Sequence, residues 1–406
     1  MNKTKQSISI YIHWPFCLSL CPYCDFNSHV ASNIDHNRWL KAYEKELEYF
    51  ASIIKNKKVK SIFFGGGTPS LMEPFVVQGI IDKIASLGII SNSCEITLEA
   101  NPTSFETNKF KQFKSAGINR VSIGVQSFNE KDLSVLGRKH SALEAINAIN
   151  SASNIFSRYS FDLIYARPQQ TLKAWKEELK FALTLANGHI SLYQLTIEKG
   201  TPFFNLFRSN QLLLPSNDEA ADLYKWTGDF LKENNYNRYE ISNYSRIKEE
   251  SIHNLCYWNY NEYLGIGPGA HSRVHKECSI SALMMHHKPD KWLDSVNSQG
   301  HGIQNNINLS TNEIIEEMIM MGTRLANGIK EESVEKLLQL KFFDILNQDI
   351  LKQYIDHQLV SLSNGILKLS DSGLMLHNYL IARIIKTKTN NKYNGLKDLD
   401  KKEDES

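Results

Sequence analysis

The sequence predicts an α/β chain: a parallel sheet curved as a partial (β/α)6 TIM-like barrel, then a smaller C-terminal α+β, winged-helix-like domain. Three observations predict it. Short β-rich runs alternate with helical patterns over about six units in residues 1–205. Several helical segments end in Gly, as helix C-termini often do. From about residue 310 the order changes to helices followed by a hairpin with Asn-Gly at its turn.

In chain order, the expected strands are ISIYIHW (8–14), VKSIFFGG (59–66), CEITLEAN (94–101), RVSIGVQS (120–127), FDLIYA (161–166) and HISLYQLTI (189–197). Between them lie the helical segments NRWLKAYEKELEYFASII, FVVQGIIDKIASLG, TNKFKQFKSAG, ALEAINAINSA and LKAWKEELKFALTLA. Functional residues belong at the C-terminal ends of such strands. A completing region, 206–305, contains the helical NDEAADLYKWTGDFLKENN and a Tyr/Asn/Gly-rich stretch from Tyr239 to Ser272. Residues 306–385 form the C-terminal domain: helices EIIEEMIMMGTRLA, SVEKLLQL and DILKQYIDH, the hairpin LVSLSNGILKLS, and the helix SGLMLHNYLIARII. With no basic stripe, that domain reads as a cap without a DNA role. The polar, mixed-charge tail 386–406 is expected to be disordered.

Composition narrows the function. The chain has 406 residues, 42% hydrophobic and 22% charged, enough for one large domain and a smaller one. A net charge of +2 gives no bulk electrostatic case for nucleic acid or anionic membrane as the main partner. No apolar run approaches a membrane span, and MNKTKQSISI lacks the apolar core of a signal peptide, so a cytoplasmic protein is expected. Disulfides are disfavoured there.

Three of six cysteines fall within CLSLCPYC, residues 17–24; Cys94, Cys256 and Cys278 are scattered. A zinc ribbon needs four ligands, usually two C-x-x-C pairs, and no second pair exists. An iron–sulfur cluster normally takes four thiolates; Cys17, Cys21 and Cys24 would leave one iron open to another ligand. Directly after the second strand comes GGGTPS (65–70), whose glycines let backbone approach a ligand; alone, it could equally be a tight turn. Polar residues then stand near strand ends: Glu99, Gln126 and Asp162, with Arg138 after a short helix and Tyr11 in the first strand. Singly each suits a structural role; together they suit one pocket for a charged, hydroxyl-bearing ligand.

These stretches resemble, almost end to end, the radical S-adenosylmethionine (SAM) superfamily, in the group of oxygen-independent coproporphyrinogen III dehydrogenase and the heme chaperone HemW. The resemblance rests on YIHWPFCLSLCPYCDFNSH, FFGGGTPSL, ITLEANP, INRVSIGVQSFNE, LGRKH, LYQLTIEKGTPF, YEISNY, HNLCYWNYNEYLGIGPGAHS and EEMIMMGTRLANGI. It implies that Cys17, Cys21 and Cys24 bind a 4Fe–4S cluster. It implies that Tyr11, Gly66, Gly67, Thr68, Glu99, Gln126, Arg138 and Asp162 contact SAM, with the backbone beside Tyr23 close to the cluster.

Within the group, Phe26 stands where the dehydrogenases usually have a further Cys, and the first strand starts at about residue 8 without their long N-terminal extension. HNLCYW (253–258) matches a motif linked in the chaperone branch to heme. There His253 offers an axial imidazole, Cys256 an alternative ligand, and Tyr257 and Trp258 flat apolar surface. The same residues would also suit a histidine and aromatic pair packed into the core. The expected function is a heme chaperone holding a 4Fe–4S cluster, SAM and heme, and passing heme to an acceptor hemoprotein in solution or at a membrane. The alternative is the dehydrogenase, in which an electron from the cluster cleaves SAM and the resulting radical starts oxidative decarboxylation of coproporphyrinogen III. No catalytic residue is assigned, and the electron donor is not identified. One departure stands out: the family's G-L-P-G-Q-T after the fifth strand is ARPQQT (166–171) here, so two glycines that the resemblance places near the SAM nucleoside are replaced.

Overall fold

Every second residue of the first strand, β1 (Ser7–Trp14), is a large apolar group: Ile8, Ile10, Ile12 and Trp14, all buried. Ser9, Tyr11 and His13 alternate with them and point to the opposite face. In the computed structural model, which describes residues 6–386 other than 32, 277 and 278, this two-face pattern repeats through the next five strands. These are β2 (Lys58–Gly66), β3 (Ile89–Ala100), β4 (Arg120–Gln126), β5 (Arg158–Tyr165) and β6 (His189–Gln194). All pair in parallel and in sequence order, each followed by helix, as in a (β/α)6 partial barrel.

One face packs on the helices. Ile62, Phe64, Leu98, Val121, Ile123, Phe161, Leu163, Ile190 and Leu192 join Ile10 and Trp14 in a core shared with helices α1 (His36–Tyr49), α2 (Pro74–Leu87), α3 (Ala142–Ile155) and α4 (Leu172–Leu185). The other face is polar. Register sets Ser9 opposite Ser61, Ser61 opposite Glu95, Glu99 opposite Ser122, Ser122 opposite Ser160 and Asp162 opposite Ser191. A barrel closed only for stability fills this face with Val, Ile and Leu. Here it carries hydroxyls, carboxylates and Arg120, which suits a ligand-holding interior.

The 206–305 region holds more strand than its composition suggests. After helix α5 (Asn217–Glu233), β7 (Asn237–Glu240) and β8 (Asn243–Ser245) add antiparallel to β6. Helix α6 (Ile252–Trp258) follows, and β9 (Tyr263–Ile266) lies parallel to β1 on its free side. From β9 an antiparallel meander continues through β10 (His271–Lys276), β11 (Ser279–Met285) and β12 (Ile303–Asn308), giving twelve strands in one sheet. Helix α7 (Pro289–Gln299) ties this extension to α1: Trp292 stacks on Trp39 with ring centres 5.3 Å apart, and its indole N–H donates to the fully buried Glu46. Glu46 also accepts from the Gly267 and Gly302 amides, and burial pushes its carboxyl up to about 7.

Contacts divide the described residues into two units, one up to residue 309 with 324–327 and the other of 310–323 with 328 onward. The second unit contains helix α8 (Thr311–Gly322), opened by a Ser310–Glu313 capping box, and helices α9 (Glu331–Leu338) and α10 (Gln348–Asp356). Strands β13 (Ile329–Lys330), β14 (Val360–Ser363) and β15 (Ile366–Leu369) form its sheet, and helix α11 (His377–Ile384) follows. The hairpin turn falls at Asn364-Gly365, both at positive φ (52° and 68°), the geometry that makes Asn-Gly a hairpin signal. The tail expected to be disordered lies, but for Lys386, outside the described residues. Among those residues no helix is long and apolar enough to cross a membrane.

Candidate functional site

The cysteines follow β1 directly. Phe16–Cys17 pairs with His29–Val30, and the His29 amide donates to Pro15 O at 2.7 Å, so both ends of the loop are held beside the strand end. A turn from Cys21 O to Cys24 N (3.1 Å) folds the middle back. Cys17, Cys21 and Cys24 are free and half-buried. Among the described residues no three His, Cys, Asp or Glu side chains converge as ligands of one metal ion. A cluster asks for a different geometry, since each of its thiolates binds a separate iron.

The glycine loop docks against this turn through backbone. Gly67 N donates to Trp14 O at 2.7 Å, Thr68 N to Phe16 O at 2.8 Å, and Thr68 Oγ1 lies 3.3 Å from Cys17 Sγ. A Cβ on Gly67 would sit 2.7 Å from Phe16 O, so only glycine allows the approach. Gly66 has φ of 115° and donates its amide to Glu99 Oε2 at 3.2 Å. The segments thus meet at the C-terminal end of the sheet.

Arg138 links the parts. Its guanidinium reaches Cys21 Sγ at 3.6 Å and donates to Gly124 O at 2.7 Å and to Asn101 Oδ1; Asn101 in turn donates to Thr68 Oγ1 at 3.1 Å. Asn101, within LEANP, was not singled out by the sequence; its position just past the end of β3 is the signal that could have found it. Burial raises the Cys17 and Cys24 thiols, and Arg138 counters this at Cys17. A cation beside the thiols suits the negative charge of thiolate ligands. Tyr23 lies within the loop, its ring near Phe203 with centres 6.3 Å apart, and burial raises its phenol.

Tyr11, Glu99 and Asp162 lie deeper. A Cβ on Gly65 would meet Tyr11, Phe63 and Glu99 at once. Asp162 is the fifth of eight residues in β5, not at its end as expected, and Tyr11 holds the same place in β1. The polar face therefore extends down the barrel. Gln126 ends β4 at φ of 69°, with its buried side-chain oxygen unpartnered, and Arg138 Nε is unpartnered too. Orphaned polar atoms on the residues around Arg138, with free thiols and a glycine cradle beside it, fit a cluster with a polar ligand.

Burial, then the neighbouring Asp162, pushes the Glu99 carboxyl up to about 8; burial pushes Asp162 up to about 6. Both groups ionise near pH 4 when unfolded. Between those limits the folded chain binds more protons than the unfolded chain, so stability falls as pH rises through about 6 to 8. Glu46 adds to the trend. The cofactor-free protein should melt at a lower temperature at pH 8 than at pH 6, and Glu99→Gln should shrink the difference. Equal melting temperatures in the parent protein would show that these carboxylates ionise freely.

The ARPQQT departure is built into the backbone. Ala166 and Gln169, at the family's two glycine positions, keep left-handed φ of 55° and 59°. Between them Arg167 is 2% exposed, paired with Glu178 of α4 and with Asp132 at 2.9 Å, and 3.4 Å from Gln126 O. Glu178 also accepts from Ser127 Oγ (2.6 Å) and Phe128 N (2.8 Å). An ion network thus stitches the loops after β4 and β5, both at the C-terminal end of the sheet.

His253 lies deeper still, its ring centre 6.3 Å from that of Tyr11. It is on α6 at the other end of the interior, 1% exposed, beside Ser61 and stacked on Phe63 with ring centres 4.9 Å apart. Ser61 lies five residues before Gly66 along β2, about 16 Å of strand. Ser61 gives its proton to Ser9 Oγ (2.8 Å), so His253 Nδ1 donates to Ser61 (2.8 Å) and Nε2 accepts from Tyr257 OH (2.8 Å). Both ring nitrogens are engaged, and burial drops the imidazole pKa to about 3. Cys256 is buried, with its thiol pushed up to about 11, and Arg324 covers Trp258 at 4.4 Å from the ring centre. As folded, the expected axial ligand has no free nitrogen and the motif forms the barrel floor.

The family model of the Radical SAM superfamily matches residues 11–182, and that of the HemN C-terminal domain matches residues 309–376. The chain is 37% identical over 336 residues to the mitochondrial radical S-adenosyl methionine domain-containing protein 1 of Danio rerio, covering 80% of this chain and 75% of that protein. It is 41% identical over 268 residues to the heme chaperone HemW of Buchnera aphidicola subsp. Schizaphis graminum, covering 66% and 70% respectively. Among solved structures, coproporphyrinogen III oxidase (HemN) from Escherichia coli shares the fold, with a TM-score of 0.78 at 21% identity over 93% of this chain and 90% of that one.

Proposed function

Because the chain belongs to the radical SAM superfamily, in the heme chaperone branch of its coproporphyrinogen III oxidase-like group, we propose that it binds heme and delivers it to an acceptor hemoprotein. The family implies a 4Fe–4S cluster and SAM. The observation that carries the site is the docking of the three-cysteine turn on the Gly66–Thr68 backbone above a polar barrel interior. In this reading Cys17, Cys21 and Cys24 hold the cluster. Tyr11, Gly66, Gly67, Thr68, Glu99, Gln126, Arg138 and Asp162 hold SAM, with Tyr23 beside the cluster. When bound, the cluster supplies single electrons to SAM. The chain's own residues position the two groups, set the local charge through Arg138, Glu99 and Asp162, and limit water at the thiols.

Phe26 favours the chaperone over the dehydrogenase: it places an exposed aromatic ring, and no fourth thiol, two residues after Cys24. The test is anaerobic reconstitution followed by parallel assays of heme retention and coproporphyrinogen III turnover. Heme retained without protoporphyrinogen formation is the expected result. Turnover would move the chain to the dehydrogenase branch.

The motif suggests His253 as a heme ligand, but both its ring nitrogens are engaged in the barrel floor and none is left for iron. Its first duty is to the fold. His253→Ala strands Ser61 and Tyr257 and leaves a cavity, which should cost about 2–5 kcal/mol. Denaturant unfolding checks this; a wild-type midpoint would show that the floor network contributes little.

A further inference from the structure

A second set of histidines lies at the surface beside the cluster loop. Asn27, three residues past Cys24, donates its side-chain amide to Pro268 O and His287 O, each at 3.0 Å, and its Oδ1 lies 3.2 Å from His29 Nε2. Its carbonyl lies 2.9 Å from the buried His13 Nε2. This knot gathers residues from the cluster loop, from the loop between β9 and β10 and from just past the end of β11. His29, His271 and His287 all lie close enough to His13 to influence its charge. The His271 and His287 rings, both exposed, stand 6.4 Å apart between centres and nearly perpendicular at 71°.

The same loop exposes large apolar groups. Phe26 is 66% exposed and Val30 59%, flanking Asn27 and His29 in the chain. Both side chains are free to cover an apolar ligand at this loop. Lys288, exposed and next to His287, adds a cation.

We propose that His271 and His287, with Phe26 and Val30, form a surface heme site in which an exposed imidazole ligates the iron, the apolar side chains cover the porphyrin face, and Lys288 meets a propionate. This rests on the heme-binding reading above and names its site. Axial ligation needs one or two imidazoles. A bare ion would want more donors, and among the described residues no three converge. The enclosed His253 offers no such access, whereas an exposed site beside the cluster loop allows heme to be taken up and released without unfolding the barrel.

The test titrates Fe(III) protoporphyrin IX into the full chain, reconstituted with cluster and SAM. Wild type is compared with His271→Ala/His287→Ala and with His253→Ala, its folded fraction checked by circular dichroism. The double variant should bind at least tenfold more weakly and lose the histidine-ligated Soret band, while the cluster absorbance persists and folded His253→Ala keeps that band. Metal-free protoporphyrin should distinguish wild type from the double variant far less than hemin does. Wild-type affinity and Soret band in the double variant would overturn the surface site and leave the chaperone reading standing. A wild-type chain that binds no hemin would overturn both.

Discussion

Serine in place of Cys17, Cys21 or Cys24 is expected to abolish iron incorporation, each alone and by the same amount. Among the described residues no other cysteine is placed to substitute. Cys94 and Cys256 are buried on other elements, with thiols pushed up to about 12 and about 11, so neither is ready to ionise and ligate. A serine hydroxyl is a far poorer donor to iron than a thiolate, and the turn that sets Cys21 and Cys24 uses backbone that the substitution leaves intact. The variants should therefore fold, melt near wild type, and lack the visible absorbance and iron content of the parent after anaerobic reconstitution. Zinc at one equivalent with no iron in the parent, or an intact cluster in any one variant, would sink this assignment.

The cysteines were legible because thiolate chemistry demands particular residues at close spacing, whatever the fold does around them. The parallel strands were legible for a different reason: β1, β4 and β6 carry a large apolar residue at every second position, and those residues stayed buried. Boundaries were less legible. β3 begins at Ile89 rather than Cys94, because its first residues, with Asn92 and Ser93 exposed, pair at the sheet end without an apolar pattern. β5 begins at Arg158, whose charge is satisfied by Glu95 and Glu249 and so does not exclude it from a strand. The meander from β9 to β12 was missed because its last strand, IQNNIN, is almost wholly exposed and shows no buried face.

Depth was the hardest property to read. His253 and His271 lie eighteen residues apart in similarly aromatic, Gly-rich surroundings, yet one is sealed into the barrel floor and the other faces solvent. What decides between them is the register of α6 against Ser61 and Glu95, residues some 150 to 200 positions earlier. Motif identity carries no information on that contact. The pairing of Asn27 with Pro268 and His287 is likewise a product of the tertiary fold alone.

Arg167→Leu, which restores the family's residue between the two former glycine positions, is expected to destabilise this chain by about 3–5 kcal/mol. In isolation the change looks conservative toward the family. Here, however, Arg167 is the cation for Glu178, whose side chain on α4 is only 9% exposed, and for the half-buried Asp132. Removing it leaves a carboxylate without a counter-charge while its bonds to Ser127 and Phe128 hold it in place. Glu178→Gln in the same background should recover most of the loss, since a neutral amide is cheaper to bury. The two changes should therefore be strongly non-additive in a double-mutant cycle. Ala166→Gly and Gln169→Gly act separately: each relieves a left-handed backbone that costs a residue with a Cβ about 1 kcal/mol, so neither should rescue Arg167→Leu. Because Arg167 also lies near the Gln126 carbonyl, SAM should bind more weakly to Arg167→Leu even at temperatures where the variant remains folded. Additive effects of Arg167→Leu and Glu178→Gln would mean that the ion network is a passenger. The departure from the glycine pattern would then need no compensation, and its strain would be carried by the loop alone.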